Sequence, residues 1–159
     1  MIRKISRLGL KLSLKDFIII LKHKMKVTVS RKAHFNAAHR LFRKDWSEEE
    51  NQKIFGKCSN PHYHGHNYEL IVHITGNINP DTGYVMDMKV LKELIKVEVE
   101  DKMDHKNLNE EVVEFQNKIP TAENIVIVIY DALKPHINPD HELAITLYET
   151  PRNFVRYEG

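Results

Sequence analysis

Two segments of the chain alternate between apolar and polar side chains, and this period of two constrains the fold more than any other feature. In a β-strand successive side chains point to opposite faces, so alternation predicts a strand with one buried face. The first predicted strand begins at Val27 and ends at His39, with Arg31 as its exception, and the second covers residues 66–75. Their apolar positions are Val27, Val29, Ala33, Phe35 and Ala37, then Tyr68, Leu70, Val72 and Ile74.

Two further strands are predicted near the C-terminus. Leu143, Ile145 and Leu147 alternate within residues 142–150, and a shorter strand covers residues 154–157 after Pro151. Between the two pairs of strands the period changes. Asp87 is a good N-cap, and apolar residues at helical spacing predict a helix to about Met103.

A second helix is suggested by Thr121, which suits an N-cap position, with Glu123 in the first turn, where the helix dipole favours a carboxylate. The following residues 125–130, IVIVIY, are β-branched and fit a buried strand equally well, so the pattern alone leaves both open. The order of elements predicts an α+β fold, with an antiparallel four-stranded sheet covered on one face by two helices.

Composition narrows the class of protein. The 159 residues suit one domain, and no apolar run approaches the roughly 20 residues that span a bilayer. Cys58 is the lone cysteine, so no intramolecular disulfide can form, which fits a reducing compartment such as the cytoplasm.

Charge divides the chain at residue 26. Residues 1–26 hold eight Lys or Arg and one Asp, whereas the rest holds 16 basic and 21 acidic residues. The basic pI therefore comes from this leader, and the acidic remainder argues against a nucleic-acid partner. We interpret residues 1–26 as an extension outside the fold and residues 27–159 as a single domain. A helix docked on the domain and a targeting segment are the alternatives.

Three of the ten histidines share the apolar parity of the predicted strands. His64 and His66 have the parity of Tyr68, and His39 has that of Phe35. If the two strands pair, three imidazoles converge on one buried face, which suits zinc at about 2.0–2.1 Å with a fourth position open. The alternative is a loop, HGH, with ordinary polar histidines. Metalloprotease (HExxH), nucleobase-deaminase (HxE with PCxxC) and phosphate-loop (GxxxxGK) signatures are absent.

Other residues have two interpretations each. Cys58 lies in a polar loop, beside Lys57, and is either a fourth zinc ligand or a thiolate base or nucleophile. Asp104 and His105 are either a catalytic pair or an ordinary turn. Glu149 has the parity of Leu147, and a buried carboxylate needs donors, which either a ligand or an Arg or backbone partner supplies.

Six motifs resemble the 6-pyruvoyl-tetrahydropterin synthase family, which includes 6-carboxytetrahydropterin synthase. They are FNAAHRL, GKCSNPHYHGHNY, TGYVMDMKVLK, MDHKNLN, PTAENI and LYET, in order from about Val27 to the C-terminus. The resemblance implies the tunnelling fold, in which trimers join as homohexamers around a barrel and active sites lie between subunits. It also implies that residues 125–130 are helical.

The resemblance further implies residue roles. The family's zinc ligands fall on His39, His64 and His66, and its catalytic residues on Cys58, Asp104 and His105. Its pterin-binding residues fall on Glu149, Thr121 and Glu123.

The implied activity is that of a zinc-dependent lyase. It converts 7,8-dihydroneopterin triphosphate, with loss of triphosphate, to the 6-pyruvoyl product of tetrahydrobiopterin synthesis or the 6-carboxy product of queuosine-type synthesis. The five residues between Cys58 and His64 resemble the animal pyruvoyl enzymes, but the sequence leaves the product open. The alternatives are a zinc-stabilised binding module and a tunnelling-fold enzyme for another pterin or purine.

Overall fold

A computed structural model of the chain describes residues 26–159, so the predictions for the basic leader lie outside the described residues. Five strands form one sheet in the order β3-β1-β2-β4-β5. They are β1 (Lys26–His39), β2 (His64–Asn77), β3 (Lys106–Asn107), β4 (Glu142–Thr150) and β5 (Asn153–Tyr157). No helix within residues 26–159 is long and apolar enough to cross a bilayer.

The helices pack on one face of this sheet. They are α1 (Glu48–Phe55), α2 (Met88–Ile95), α3 (Asp101–Met103), α4 (Leu108–Glu111) and α5 (Ala122–Leu133). A π-helical turn, Lys96–Glu100, joins α2 to α3, so the predicted helix to Met103 is present with a wider middle turn. Asp87 caps α2 and Thr121 caps α5, as the sequence predicts.

The sheet differs from the prediction in one respect. The four antiparallel strands are present, but β3 adds a fifth, which pairs in parallel with β1 at Ala37 and Ala38. The sheet is therefore mixed. The stretch from residue 104 to residue 120, which shows no pattern in the sequence, contains β3, α4 and a short 3₁₀ turn.

The core lies between the sheet and α2 and α5. Residues 125–130 belong to α5, which confirms the helix implied by the resemblance. The apolar parity of the strands meets the apolar sides of the two helices, and burial of these side chains is the main stabilising contribution to the fold. The fully buried side chains include Phe35, Tyr68, Leu70, Ile74, Leu91, Ile95, Ile125, Ile129, Leu133 and Ile145.

Candidate metal and pterin site

Three imidazoles meet where β1 ends and β2 begins. The antiparallel register places His39 opposite His64 and Ala37 opposite His66, so all three side chains share the core face. One ligand atom from each of the three lies within 4.8 Å of the others. Within residues 26–159 this is the one cluster of His, Cys, Asp or Glu that could hold a metal ion.

His39 is held in the protonation state that a metal ligand needs. Its ring is fully buried, and Nδ1–H donates to the carbonyl of Pro120 at 2.8 Å. Because the proton sits on Nδ1, the lone pair of Nε2 points at the cluster. The pKa of His39 is lowered to about 4, chiefly by burial and to a smaller extent by the neighbouring His64 and His66, against the opposing effect of the Pro120 carbonyl.

The spacing of the imidazoles fits a bound cation. Nε2 of His39 and Nε2 of His64 are 3.1 Å apart. Ligand distances of 2.0–2.1 Å in a tetrahedral site place two ligand nitrogens about 3.3 Å from each other. The other nitrogen of His64, Nδ1, is buried without a hydrogen-bond partner among residues 26–159. A hydrogen bond at Nδ1 therefore orients the ring of His39, but no such bond orients the ring of His64 within residues 26–159.

Glu149 lies beside the three imidazoles. Its Oε1 is 3.7 Å from Nε2 of His39 and 3.8 Å from Nε2 of His66, and its side chain is 22% exposed. The strand parity of β4 turns the carboxylate inward, next to the three-histidine cluster. No Arg or Lys pairs with it in the described part of the chain, so an Arg partner does not account for this inward carboxylate within residues 26–159.

Glu149 also lines a cavity of about 510 Å³ together with Thr121 and Glu123. The structure thus brings together the three residues predicted to bind a pterin. Aromatic and aliphatic walls with a few converging polar groups are typical of a small-molecule site. The remaining lining residues are Leu41, Phe55, Ala122, Arg152, Asn153, Phe154 and Val155.

Cys58 lies on a 3₁₀ turn, Gly56–Ser59, and is partly buried. The turn is fixed to the chain just after His39: the Leu41 amide donates to the Cys58 carbonyl at 2.8 Å. Nε of Arg40 also donates to the Ser59 carbonyl at 2.7 Å. Arg40 is only 8% exposed, and its guanidinium also binds Glu48. The position of the thiol therefore depends on Arg40.

Asp104 and His105 form a hydrogen-bonded pair, with Oδ2 of Asp104 2.9 Å from Nδ1 of His105. The other carboxylate oxygen accepts the Asn36 amide at 2.8 Å. That bond, and secondarily His105, lowers the pKa of Asp104. His105 has a positive φ of 59°, a strained conformation for a residue with a side chain, and its amide donates to the Asn36 carbonyl.

The pair does not line the cavity that contains Glu149. His105 is 78% exposed and lines a separate depression of about 350 Å³, which also includes Gly65 and His66. Within one chain the predicted site residues are therefore divided between two surfaces. His66 connects them, because it approaches Glu149 and also lines the depression.

Three residues of the site are not predicted by the sequence patterns. Tyr68 is fully buried with its hydroxyl 3.4 Å from Nδ1 of His39, and burial raises its pKa, as do the charges of Glu149 and Cys58. Tyr68 has the same strand parity as His64 and His66, and this shared parity could have identified it as a site residue. Pro120 acts through its backbone carbonyl, and Arg40 acts through its long side chain. In the sequence they are marked only by their positions next to Thr121 and His39, respectively.

A mixed sheet with helices on one face, a three-histidine cluster and a cavity with an inward carboxylate define an α+β protein with a candidate metal-dependent active site. The model of one family, 6-pyruvoyl tetrahydropterin synthase, matches residues 28–159. The chain belongs to that family.

Relatives agree with this assignment. The chain is 44% identical over 131 residues to the 6-pyruvoyl tetrahydrobiopterin synthase of Pongo abelii, covering 82% of this chain and 90% of that protein. The solved structure of Caenorhabditis elegans 6-pyruvoyl tetrahydropterin synthase superposes with a TM-score of 0.80 at 38% identity, covering 85% of this chain and 96% of that one.

A less similar relative has a different name. The 6-carboxy-5,6,7,8-tetrahydropterin synthase of Rickettsia conorii is 27% identical over 147 residues and covers 81% of this chain and 98% of that protein.

Proposed function

We propose that the protein converts 7,8-dihydroneopterin triphosphate to 6-pyruvoyl-tetrahydropterin, with loss of triphosphate, as a zinc-dependent lyase. The observation that supports this most directly is the position of Glu149, which both lines the cavity and lies within 4 Å of two of the three clustered histidines. A ring bound at Glu149 has its side chain within reach of the metal centre.

Each residue has a role in this proposal. His39, His64 and His66 hold zinc, which when bound polarises the substrate's side-chain hydroxyls and acidifies the adjacent C–H bonds. Glu149 accepts adjacent N–H groups of the pterin, and Thr121 and Glu123 complete the ring pocket. Cys58, as the thiolate, accepts a proton from the side chain, and His105, oriented by Asp104, relays protons.

The pyruvoyl product is favoured over the carboxy product by the comparisons. The identity to the pyruvoyl enzyme of Pongo abelii is 44%, against 27% to the carboxy-forming enzyme of Rickettsia conorii. The zinc-stabilised binding module is disfavoured, because the cluster that could hold a metal consists of three histidines and does not include Cys58. A thiol kept free for proton transfer also fits the reducing cytoplasm.

We also propose that the active assembly is a homohexamer. The outer edge of β1 is paired by β3 only at Ala37 and Ala38, and β5 forms the opposite edge of the sheet. Unpaired strand edges favour pairing with another chain. Neighbouring subunits also offer a way to unite the surface of Asp104 and His105 with the cavity of Glu149, which one chain keeps apart.

Product analysis tests the activity. The zinc-loaded full chain is incubated with 7,8-dihydroneopterin triphosphate, and mass spectrometry identifies the pterin product while released triphosphate is measured. Cys58→Ala is expected to retain zinc and to lose most turnover, because the cluster of ligands does not include the thiol.

Release of the 6-carboxy product would revise the product assignment, and an unchanged substrate would contradict the lyase proposal. Loss of zinc in Cys58→Ala would support the binding module instead.

A further inference from the structure

One cation, Arg152, lines the cavity of Glu149 and has no role in the proposed reaction. Arg152 is exposed, in the turn between β4 and β5. The Thr150 hydroxyl fixes this turn by accepting the amides of Arg152 at 3.4 Å and of Asn153 at 3.1 Å. The backbone of Arg152 is therefore positioned in the turn that follows the end of β4, three residues after Glu149.

The side chain of Arg152 is not committed to another residue. Across residues 26–159 the guanidinium forms no ion pair and no side-chain hydrogen bond. By contrast Arg40, Arg43 and Arg156 each pair with a carboxylate. An unpaired cation at the wall of a cavity is available to a ligand.

The charges of the residues that line the cavity indicate which kind of ligand Arg152 can bind. Its ionisable lining residues are Glu123, Glu149 and Arg152, so two carboxylates face one guanidinium. A triphosphate carries several negative charges at neutral pH, and the carboxylates repel it. Arg152 is the cation of the lining that offsets this repulsion, and a guanidinium binds phosphate oxygens in a bidentate manner.

We propose that Arg152 binds the triphosphate of the substrate at the mouth of the cavity, while Glu149 binds the ring. This inference rests on the proposed function. It assigns the selectivity for the phosphorylated over the unphosphorylated pterin to a residue of the β4–β5 turn. Arg152 acts on binding and leaves the chemistry at the metal centre unchanged.

The test compares Arg152→Gln with the parent on two ligands. The zinc-loaded full chain is titrated with unphosphorylated 7,8-dihydroneopterin by fluorescence, and KM and kcat are measured with the triphosphate. We expect KM for the triphosphate to rise about tenfold in Arg152→Gln, equivalent to about 1.4 kcal/mol, with the Kd for dihydroneopterin unchanged. Arg152→Lys should recover part of the loss, because it keeps the charge and loses the bidentate fork.

Arg156→Gln is the matched control. Arg156 lies on β5 but is paired with Glu158 at 2.7 Å, and neither it nor Glu158 lines the cavity. The change should leave both ligands unaffected. An unaltered KM for the triphosphate in Arg152→Gln would overturn the inference, as would an equal loss for both ligands. A parent that binds neither pterin would contradict the proposed function itself.

Discussion

Replacing Glu149 with Gln separates pterin binding from metal binding at this site. The change keeps the shape of the side chain and exchanges one carboxylate oxygen for an NH₂ group. If the carboxylate accepts two adjacent ring N–H groups, one of those bonds is lost and a donor then faces a donor. A charge-assisted hydrogen bond contributes about 1.5–3 kcal/mol, so affinity for dihydroneopterin should fall between about tenfold and a hundredfold.

The structure changes what should be expected for zinc. Strand assignment alone predicts no effect, because the ligands lie on β1 and β2 and Glu149 lies on β4. Yet Oε1 of Glu149 is 3.7 Å and 3.8 Å from Nε2 of His39 and of His66, so its negative charge supports a bound dication. Removing a partner next to the ligands typically costs 10–100-fold in metal affinity, and we expect the lower end because Gln still offers a carbonyl oxygen.

The assay therefore needs saturating zinc. Fluorescence titration with 7,8-dihydroneopterin gives the Kd, and metal analysis after dialysis gives the zinc content. Glu142→Gln is the control, since Glu142 begins the same strand and pairs with Lys26 far from the cavity. A Glu149→Gln variant that binds the pterin as tightly as the parent would refute the reasoning and leave Glu149 as a neighbour of the metal only.

Two further outcomes are expected. His64→Ala should lose stoichiometric zinc in metal analysis, because two remaining imidazoles do not complete the cluster. The control is His34→Ala, an exposed position on β1, which should keep its zinc. Retained zinc in His64→Ala would show that the assigned ligands are wrong. Light scattering of the full chain should report a hexamer, and an active monomer would contradict the proposal that sites lie between subunits.

The strands are the part of the fold that the sequence predicts best. Their apolar parity is a local property, so the bounds of β4 and the facing of His39, His64 and His66 follow from alternation. The two caps, Asp87 and Thr121, are equally local, since each side chain accepts an amide two or three residues ahead.

Residues 125–130 could not be assigned from pattern alone for a physical reason. Ile125, Val126, Val128, Ile129 and Tyr130 are all buried, so α5 has no broad polar stripe to reveal a helical period. β3 could not be predicted from the sequence for a different reason. Its two residues pair with β1 through backbone atoms, so the strand requires no particular side chains.

In the site, too, local patterns predict some features, whereas contacts between distant residues are not predicted. Parity predicts which residues face one another, but not the Pro120 carbonyl that fixes the tautomer of His39, which lies 81 residues away. It also does not predict that Asp104 and His105 lie on a surface separate from Glu149. These positions depend on how loops pack, which no short-range pattern encodes.

Burial and spacing together make the three-histidine cluster a candidate metal site. A fully buried imidazole with a pKa of about 4 stays neutral at physiological pH, so its lone pair is free. Because the proton of His39 is directed at Pro120, its Nε2 carries a lone pair, and this lone pair faces Nε2 of His64 at a distance of 3.1 Å. A dication held by these nitrogens would also lie beside the carboxylate of Glu149, whose negative charge favours its binding. The β1–β2 register, set by the apolar alternation from Val27 onward, therefore also sets the geometry of the three-histidine cluster.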